Sequence, residues 1–315
     1  LFPFTVTQPW GGLPFSSVEN LLHMYCFCGV PLLHREYADL ALGAYLDWIK
    51  TDTSVPKLGH FRLIPTDGEF HHLLVDTIRA RKLVHSIEER YTRALYRQSR
   101  NSAEYIKRRF SGRTLKKLHR QKELLSESGT LEFSTLSPGD DLKGWLDAFR
   151  ALEAAGWKGT GGTALMSSAK HEVFFRNVAQ VAHESGRLRL CGLWLNERAV
   201  AMRAAFRAQE GSYLFKIAYD ESYAKFSPGT LLEFELIRER SETEDEWEDS
   251  CTAPTNMMYK RLWLHRRVIE DLALSPGSVF GDLTLSLVPL LRAIKSRLPR
   301  RSSKGKHKVI TEGES

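Results

Sequence analysis

The segment that decides the fold is FKIAYDESYAKFSPGTLLEFELI, residues 215–237. Apolar side chains alternate with other residues over 215–219, which predicts a strand. Five large apolar residues between 231 and 237 predict a helix from Pro228 to about residue 241. A polar loop that closes on Ser227, Pro228 and Gly229 connects them. The chain therefore places a Ser-Pro-Gly turn at the start of a helix, soon after a strand.

This turn has the composition of an anion-binding site. Ser227 can cap the free N–H groups of the helix, and Pro228 suits the first helical position. Gly229 has no side chain, so a ligand can approach the backbone of residues 227–230 closely. A helix start carries partial positive charge, which attracts phosphate. The alternative interpretation is a helix start with no ligand, and the turn by itself favours that alternative.

The order of predicted elements indicates a mixed α+β layer structure. From residue 131 we predict, in order, a strand (131–136), helices (140–156 and 167–186), strands (187–195, 198–208 and 212–220), the helix at 228, a strand (246–251) and a helical segment (256–274). Tight turns join the three middle strands into an antiparallel meander. Before residue 131 we predict strands (2–7 and 60–65) and helices (35–51, 70–81 and a basic one at 104–125).

Composition sets the class of protein. The 315 residues are 42% hydrophobic and 26% charged, as in globular proteins, and no apolar run is long enough to span a bilayer. Four cysteines suit a reducing compartment. We expect Cys26 and Cys28 to be buried thiols, since no second ligand pair accompanies them for a metal. Because the chain starts at Leu1 directly in a strand pattern, we expect it to begin inside a longer natural protein.

The net charge of +7 is concentrated near the end of the chain. Residues 292–308 contain eight Lys and Arg and no acid, so the remainder carries 7 − 8 = −1. We expect the polar end to be disordered. It is interpreted either as a solvated terminus, which we favour, or as an electrostatic contact with an anionic membrane surface or polymer. The basic run at 104–125 lacks stacking aromatics, so we expect no specific nucleic-acid binding.

The element order resembles the core of the GNAT N-acyltransferases, in which the pyrophosphate of acyl-CoA sits on a loop after the fourth strand. YDESYAKFSPGTLL (219–232) and LEAAGWKGTGGTAL (152–165) are similar to landmarks of the CelD/BcsL-type acetyltransferases, a branch found near bacterial polysaccharide biosynthesis. RLRLCGLWLNERAVA (187–201) and MYKRLW (258–263) are similar to that family too. The chain departs from the usual GNAT loop pattern, Gln/Arg-x-x-Gly-x-Gly/Ala, because it has only Gly229 there.

The resemblance implies an α+β fold of two GNAT-like halves, each with a mixed central sheet flanked by helices. Residues 1–98 are then a degenerate N-terminal half and residues 99–275 the acetyltransferase domain. Residues 276–315 are a C-terminal extension that ends in the disordered basic tail. The double layout is shared with the Fem-type peptidyl ligases.

The implied function is transfer of an acyl group from acetyl-CoA or another acyl-CoA to an amine or hydroxyl of a small-molecule or polymer acceptor. The setting would be polysaccharide or cell-envelope biosynthesis, in the cytoplasm or at the inner face of the membrane, with no metal required. One alternative is a Fem-like aminoacyl transferase that uses aminoacyl-tRNA. The other is a non-catalytic partner in a polysaccharide or membrane assembly.

The resemblance also assigns candidate site residues. Ser227, Pro228, Gly229 and Thr230 would bind the CoA phosphates, and Trp157, Lys216 and Tyr219 would contact substrate. Glu153 is the candidate base, because a carboxylate beside Trp157 would be shielded from water. Asp220 would orient the acceptor or the loop, and Lys158 would bind the acceptor. The alternatives are a surface pair between Glu153 and Lys158, and Asp220 as a cap of the turn before Ser222.

Overall fold

The strands join into one mixed sheet. The computed structural model describes residues 1–10, 13–99, 101–155, 169–239 and 245–297. The strands in these ranges are β1 (Phe4–Thr7), β2 (Ser17–Asn20), β3 (Gly59–Pro65), β4 (His85–Arg97), β5 (Leu131–Thr135), β6 (Leu188–Leu195), β7 (Arg198–Ala208), β8 (Gly211–Tyr219), β9 (Trp247–Asp249) and β10 (His265–Leu274). Their order across the sheet is β1-β2-β3-β10-β4-β9-β8-β7-β6-β5.

Helices flank this sheet. The described helices are α1 (Ala38–Thr51), α2 (Glu69–Arg81), α3 (Ser102–Arg109), α4 (Gly112–Ser126), α5 (Leu142–Ala155), α6 (Ala169–Glu184), α7 (Pro228–Glu239), α8 (Met257–Leu262) and α9 (Val279–Arg297). Short 3-10 helices cover Arg35–Tyr37 and Glu221–Phe226. No helix in the described ranges is both long enough and apolar enough to cross a membrane.

The sheet has two halves, which we define by strand position. The first half contains β1 to β4 and β10, and the second half contains β5 to β9. The predicted meander is confirmed, since β6, β7 and β8 pair antiparallel in sequence order. After β8 the chain passes through the 3-10 turn and α7 to β9, which pairs parallel with β8. The α+β fold with a mixed sheet and flanking helices is therefore confirmed.

The second half buries apolar residues on both faces of its sheet. On one face α3, α4, α7 and α8 pack around residues such as Leu232 and Trp263, both fully buried. On the other face α5 and α6 pack around Phe149 and Met202, which are also inaccessible to solvent. A group on one face of β8 is thus separated by the sheet from a group on the other.

The first half is completed by a strand from late in the chain. β10 lies between β3 and β4 and pairs antiparallel with both. Because β10 runs opposite to each, β3 and β4 are parallel to one another. The division of the chain at residues 98 and 275 stays a prediction, and the sheet order shows that residues 265–274 pack in the first half.

The prediction of a helical segment over 256–274 is wrong beyond Leu262. The helix α8 ends there, and His265–Leu274 forms the strand β10. Its apolar residues fit either period in so short a run, and a strand buried on both faces lacks clean alternation. Its charged residues form ion pairs across the sheet, as in Glu270 with Arg90 and Asp271 with Arg62. Charged residues in this segment therefore do not indicate the exposed face of a helix.

Other local predictions need smaller corrections. The single basic helix predicted at 104–125 is two helices, because Phe110 is extended and Ser111 caps α4 by accepting the Thr114 N–H at 3.3 Å. The thiols of Cys26 and Cys28 are half-buried rather than buried. The charged strand β4 was missed, since its exposed first part shows little apolar pattern. The predicted disorder of the terminal tail concerns residues outside the described ranges.

Candidate active site

The start of α7 follows the left-handed residue Ser227, which has a φ of 55°. The Ser227 carbonyl accepts the N–H of Thr230 at 2.9 Å and that of Leu231 at 3.1 Å. Its hydroxyl accepts a hydrogen bond from Gln121 Nε2 at 3.1 Å instead of capping the helix. The predicted side-chain cap is therefore wrong, and the carbonyl of the same residue does that work. Pro228 is the first helical residue, as predicted.

The packing around Gly229 leaves room for a side chain, so the fold does not require glycine at this position. Its φ is not positive, and a Cβ there would meet Ile217 Cδ1 at 3.5 Å and Tyr219 Cδ1 at 3.6 Å, which is ordinary contact. The first turn of α7 also contains no acidic residue, whereas the first turn of α2 contains Glu69. The start of α7 thus combines a small residue with a helix dipole that no carboxylate of its own first turn offsets.

The edge of β8 beside this helix start is only partly used. β8 pairs with β9 through Gly211–Tyr213 alone, and in the described residues its continuation to Tyr219 has no strand on that side. β9 ends at Asp249, and we refer to the edge of β8 that has no strand partner among the described residues as the opening. The opening lies along residues 214–219, between the two faces of the second half.

Glu153 and Lys216 meet on the face opposite to α7. Glu153 lies in the last turn of α5 and is 2% exposed, and Lys216 Nζ donates to its Oε1. A bulge in the β7–β8 pairing leaves Phe215 without a partner, so Phe215 and Lys216 both lie on the side of α5. The ammonium compensates a carboxylate that the fold has removed from water.

A segment from the first half covers this face. Tyr25 stacks on Phe174 with ring centroids 5.1 Å apart and lies 5.5 Å from Phe215, and Phe27 stacks on Tyr213 at 5.3 Å. Burial raises the pKa of Tyr25, and the charge of Glu153 raises it further. Tyr25 is therefore a protonated hydroxyl close to the Glu153–Lys216 pair. The sequence does not single out Tyr25, because it lies in the largely apolar stretch LLHMYCFCGVPLL, residues 21–33.

Asp220 has a structural role that is visible in its contacts. Its carboxylate accepts from the N–H of Ser222 at 3.0 Å and from its hydroxyl at 2.7 Å, and it pairs with Arg198 at 2.9 Å. These contacts hold the 3-10 turn that leads from β8 to α7. Of the other predicted residues, Tyr219 lies next to Gly229 on the side of the sheet that faces α7. Lys216 lies on the opposite side, which faces α5. Trp157 and Lys158 lie outside the described residues.

A buried ionic network supports the opening from the α7 side. Arg203 of β7 is 1% exposed and pairs with Glu248 of β9 and with Glu233 of α7, the latter at 3.0 Å. Tyr259 of α8 donates to the same Glu233 at 2.8 Å. The network ties the strands β7 and β9 to the helices α7 and α8, and no pattern in the sequence predicts these partners.

Two of the cavities among the described residues differ in their relation to the predicted site residues. A cleft of about 20 Å³ between α5 and α6 is lined by Glu153, Phe149 and Phe175 and has room for about one water. A larger cavity of about 570 Å³ lies in the first half, between α2, β4 and β10. It contains the pair of His71 Nε2 with Glu270 at 2.9 Å, and none of the predicted site residues.

Comparison with known proteins relates one segment of the chain to a protein family. Residues 112–261 match the model of the acetyltransferase (GNAT) domain family. This match covers slightly less than half of the chain and shows that the segment is similar to a GNAT acetyltransferase domain. The matched segment includes α7, Glu153 and Lys216. No curated protein sequence matches the chain significantly.

Solved structures show the same fold at low identity. FemX is similar with a TM-score of 0.54 at 12% identity, over 93% of this chain and 86% of that one. The C-terminal domain of an Agrobacterium fabrum protein named as a lysylphosphatidylglycerol synthetase has a TM-score of 0.52 at 11% identity, over 88% and 82%. A protein of unknown function from Bacteroides thetaiotaomicron gives 0.52 at 11%, over 87% and 83%. These likenesses establish the double-GNAT fold and nothing about substrate.

Proposed function

We propose that this protein transfers an acetyl or other acyl group from acyl-CoA to an amine or hydroxyl acceptor. The observation that carries the proposal is the helix start of α7 beside the open edge of β8. The helix start lacks an acid of its own, and its residues Pro228 and Gly229 are buried, whereas the flanking Ser227 and Thr230 are half-buried. Phosphate groups of CoA would bind the backbone of residues 227–230.

The opening along β8 gives the donor a route to the acceptor. A CoA molecule held at α7 must cross the sheet to reach the Glu153–Lys216 pair, and residues 214–219 border the place where β8 lacks a strand partner. The thioester would lie in that opening, with Tyr219 on the donor side. The acceptor would enter from the face of α5 and α6, where Tyr25 and Lys216 can donate hydrogen bonds to it.

The chemistry assigns one role to each side chain. The acceptor nitrogen or oxygen attacks the thioester carbonyl carbon, a new C–N or C–O bond forms, and the C–S bond breaks. Glu153 accepts the proton that the acceptor loses, and Lys216 stabilises the carboxylate before the transfer. The departing thiolate takes a proton from water or from the Tyr25 hydroxyl. Asp220 positions the loop, and Trp157 and Lys158 remain proposed acceptor contacts.

Thermal stabilisation by a panel of acyl-CoAs tests the proposal, because a ligand that binds only the native state must raise the melting temperature. The Gly229→Glu variant places bulk and negative charge where phosphate is proposed, and should weaken binding on the order of a hundredfold. Gly112→Glu is the matched control, since Gly112 also starts a helix and has open space around it. Unchanged affinity in a folded Gly229→Glu variant would refute the assignment of the phosphate site.

A second candidate is aminoacyl transfer from aminoacyl-tRNA, because FemX shares the fold over most of the chain. Stabilisation by aminoacyl-tRNA and by no acyl-CoA would favour it. A protein that binds neither donor would be the non-catalytic partner. A polysaccharide or cell-envelope acceptor, and a place in the cytoplasm or at the inner membrane face, are supported by the family branch alone.

A further inference from the structure

The last described helix has apolar side chains on two opposite faces. One face of α9 packs into the first half, where Leu285 and Val288 are 3% and 1% exposed beside Trp10 and Leu58. The other face carries a stripe of five large apolar residues that are exposed by 46–78%. These stripe residues are Val279, Phe280, Leu283, Leu287 and Leu290.

The spacing of this stripe is helical, since positions 280, 283, 287 and 290 differ by three and four residues. Isolated exposed apolar residues are normal on protein surfaces, but a continuous stripe at the contact spacing of a helix is typical of a surface that binds something. A helix that is apolar on both faces needs a second apolar neighbour.

The charge of the sequence after the stripe indicates which kind of partner covers it. Eight Lys and Arg and no acid occupy residues 292–308, which begin in the last turns of α9. The chain's own end, RRSSKGKHKVITEGES, has no repeating apolar face with which to cover the stripe. A second copy would bring a basic run of the same sign. An anionic lipid surface supplies both an apolar layer and the opposite charge.

We propose that α9 binds in the plane of an anionic membrane, with its stripe in the boundary between headgroups and acyl chains. The basic residues from 292 onward bind the lipid headgroups. This inference rests on α9 and its charge and not on the proposed acyl transfer, so either can fail alone.

Vesicle co-sedimentation of the full chain tests the proposal. Phe280→Ser with Leu287→Ser should reduce binding to vesicles of phosphatidylcholine mixed with phosphatidylglycerol about tenfold or more, because two large anchors are lost. Val173→Ser with Val181→Ser, on exposed positions of α6, is the matched control and should bind as the unaltered chain does. Both pairs are exposed, so equal melting temperatures should show that each variant folds.

Salt and lipid composition separate the two contributions. Binding of the unaltered chain should fall with ionic strength and should be weak on pure phosphatidylcholine. Absence of binding to anionic vesicles at low salt would overturn the proposal. So would loss of a dimer in sedimentation equilibrium when the stripe is changed, since the stripe would then be an interface between copies. Equal binding by both double variants would also overturn it.

Discussion

The two halves of the sheet each contain a strand–helix–strand crossover, and they differ in what lies between the parallel strands. In the first half β3 leads through α2 to β4, and β10 fills the whole space between those strands. In the second half β8 leads through α7 to β9, and the strands pair directly over only three positions. The same local topology thus gives a closed sheet in one half and an opening in the other.

The starts of the two crossover helices, α2 and α7, also differ in their acidic residues. The turn before α2 carries Asp67, which pairs with Arg267 of β10 at 3.1 Å, and the helix begins with Glu69. The corresponding turn before α7 ends in Ser-Pro-Gly and supplies no acid to the helix start. One crossover therefore supplies acids to its helix start from within the chain, and the other supplies none, as the proposed phosphate site requires. The inserted strand and the acid turn together distinguish the first half from the second, in which we propose the site.

The largest effect is expected from the network that holds the open crossover. Replacing Arg203 with Met leaves Glu233 and Glu248 buried without their cation, and should lower the free energy of unfolding by about 3–5 kcal/mol. Urea denaturation measures the change. Adding Glu233→Gln and Glu248→Gln to the same variant should recover part of the loss, because the uncompensated charges are removed. A loss below about 1 kcal/mol in Arg203→Met would show that the network does not stabilise this half.

The next effect concerns the Glu153–Lys216 pair, which the first half lacks. Glu153→Gln keeps the shape and removes the proton acceptor, so turnover on an amine or hydroxyl acceptor should fall on the order of a hundredfold. Acyl-CoA affinity should stay nearly unchanged, since the proposed phosphate contacts lie on the other face of β8. Steady-state rates measure the turnover, and thermal stabilisation by acyl-CoA measures the affinity.

Lys216→Met is the matched variant for that experiment. It leaves the carboxylate buried without its cation and should lower both stability and rate, whereas Glu153→Gln should affect mainly the rate. A Glu153→Gln variant with the turnover of the unaltered protein would remove Glu153 from the mechanism. The proton would then leave through another group or directly to water.

Particular residues show how far sequence reasoning reaches. The β8–α7 segment was predicted from local rules alone, because alternation, a proline at the first helical position and a polar turn all agree there. The position of β10 could not be predicted, since its pairing with β3 joins residues about two hundred positions apart. Tyr25 was missed for the same reason: its neighbours Phe174 and Phe215 are brought to it only by the closed fold. Lys216 was predicted as a substrate contact, but its pairing with Glu153 depends on a bulge that the sequence does not mark.

The smallest expected effect is a difference between the two halves in how their stability depends on pH. Two buried carboxylates of the first half, Glu19 and Glu270, contact histidines, whereas Glu233 and Glu248 of the second contact Arg203, which does not titrate in the accessible range. Burial raises the pKa of Glu19, but hydrogen bonds from His60 and Ser17 and the charges of His60 and Arg62 together outweigh burial. The pKa in the folded protein is therefore lowered from 4.5.

A lowered pKa in the folded state means that ionised Glu19 contributes stability above about pH 4.5, and that this contribution is lost as the pH falls below that value. Glu19→Gln should therefore lower stability at neutral pH and flatten its decline between about pH 5 and pH 3. Urea titrations of both proteins across that range measure the slopes. Hydrogen exchange should place the early loss in β2 and β3, since Glu19 joins those strands through His60 at 3.1 Å. Equal slopes would show that Glu19 is not the acid-sensitive link and that the first half owes its closure to β10 alone.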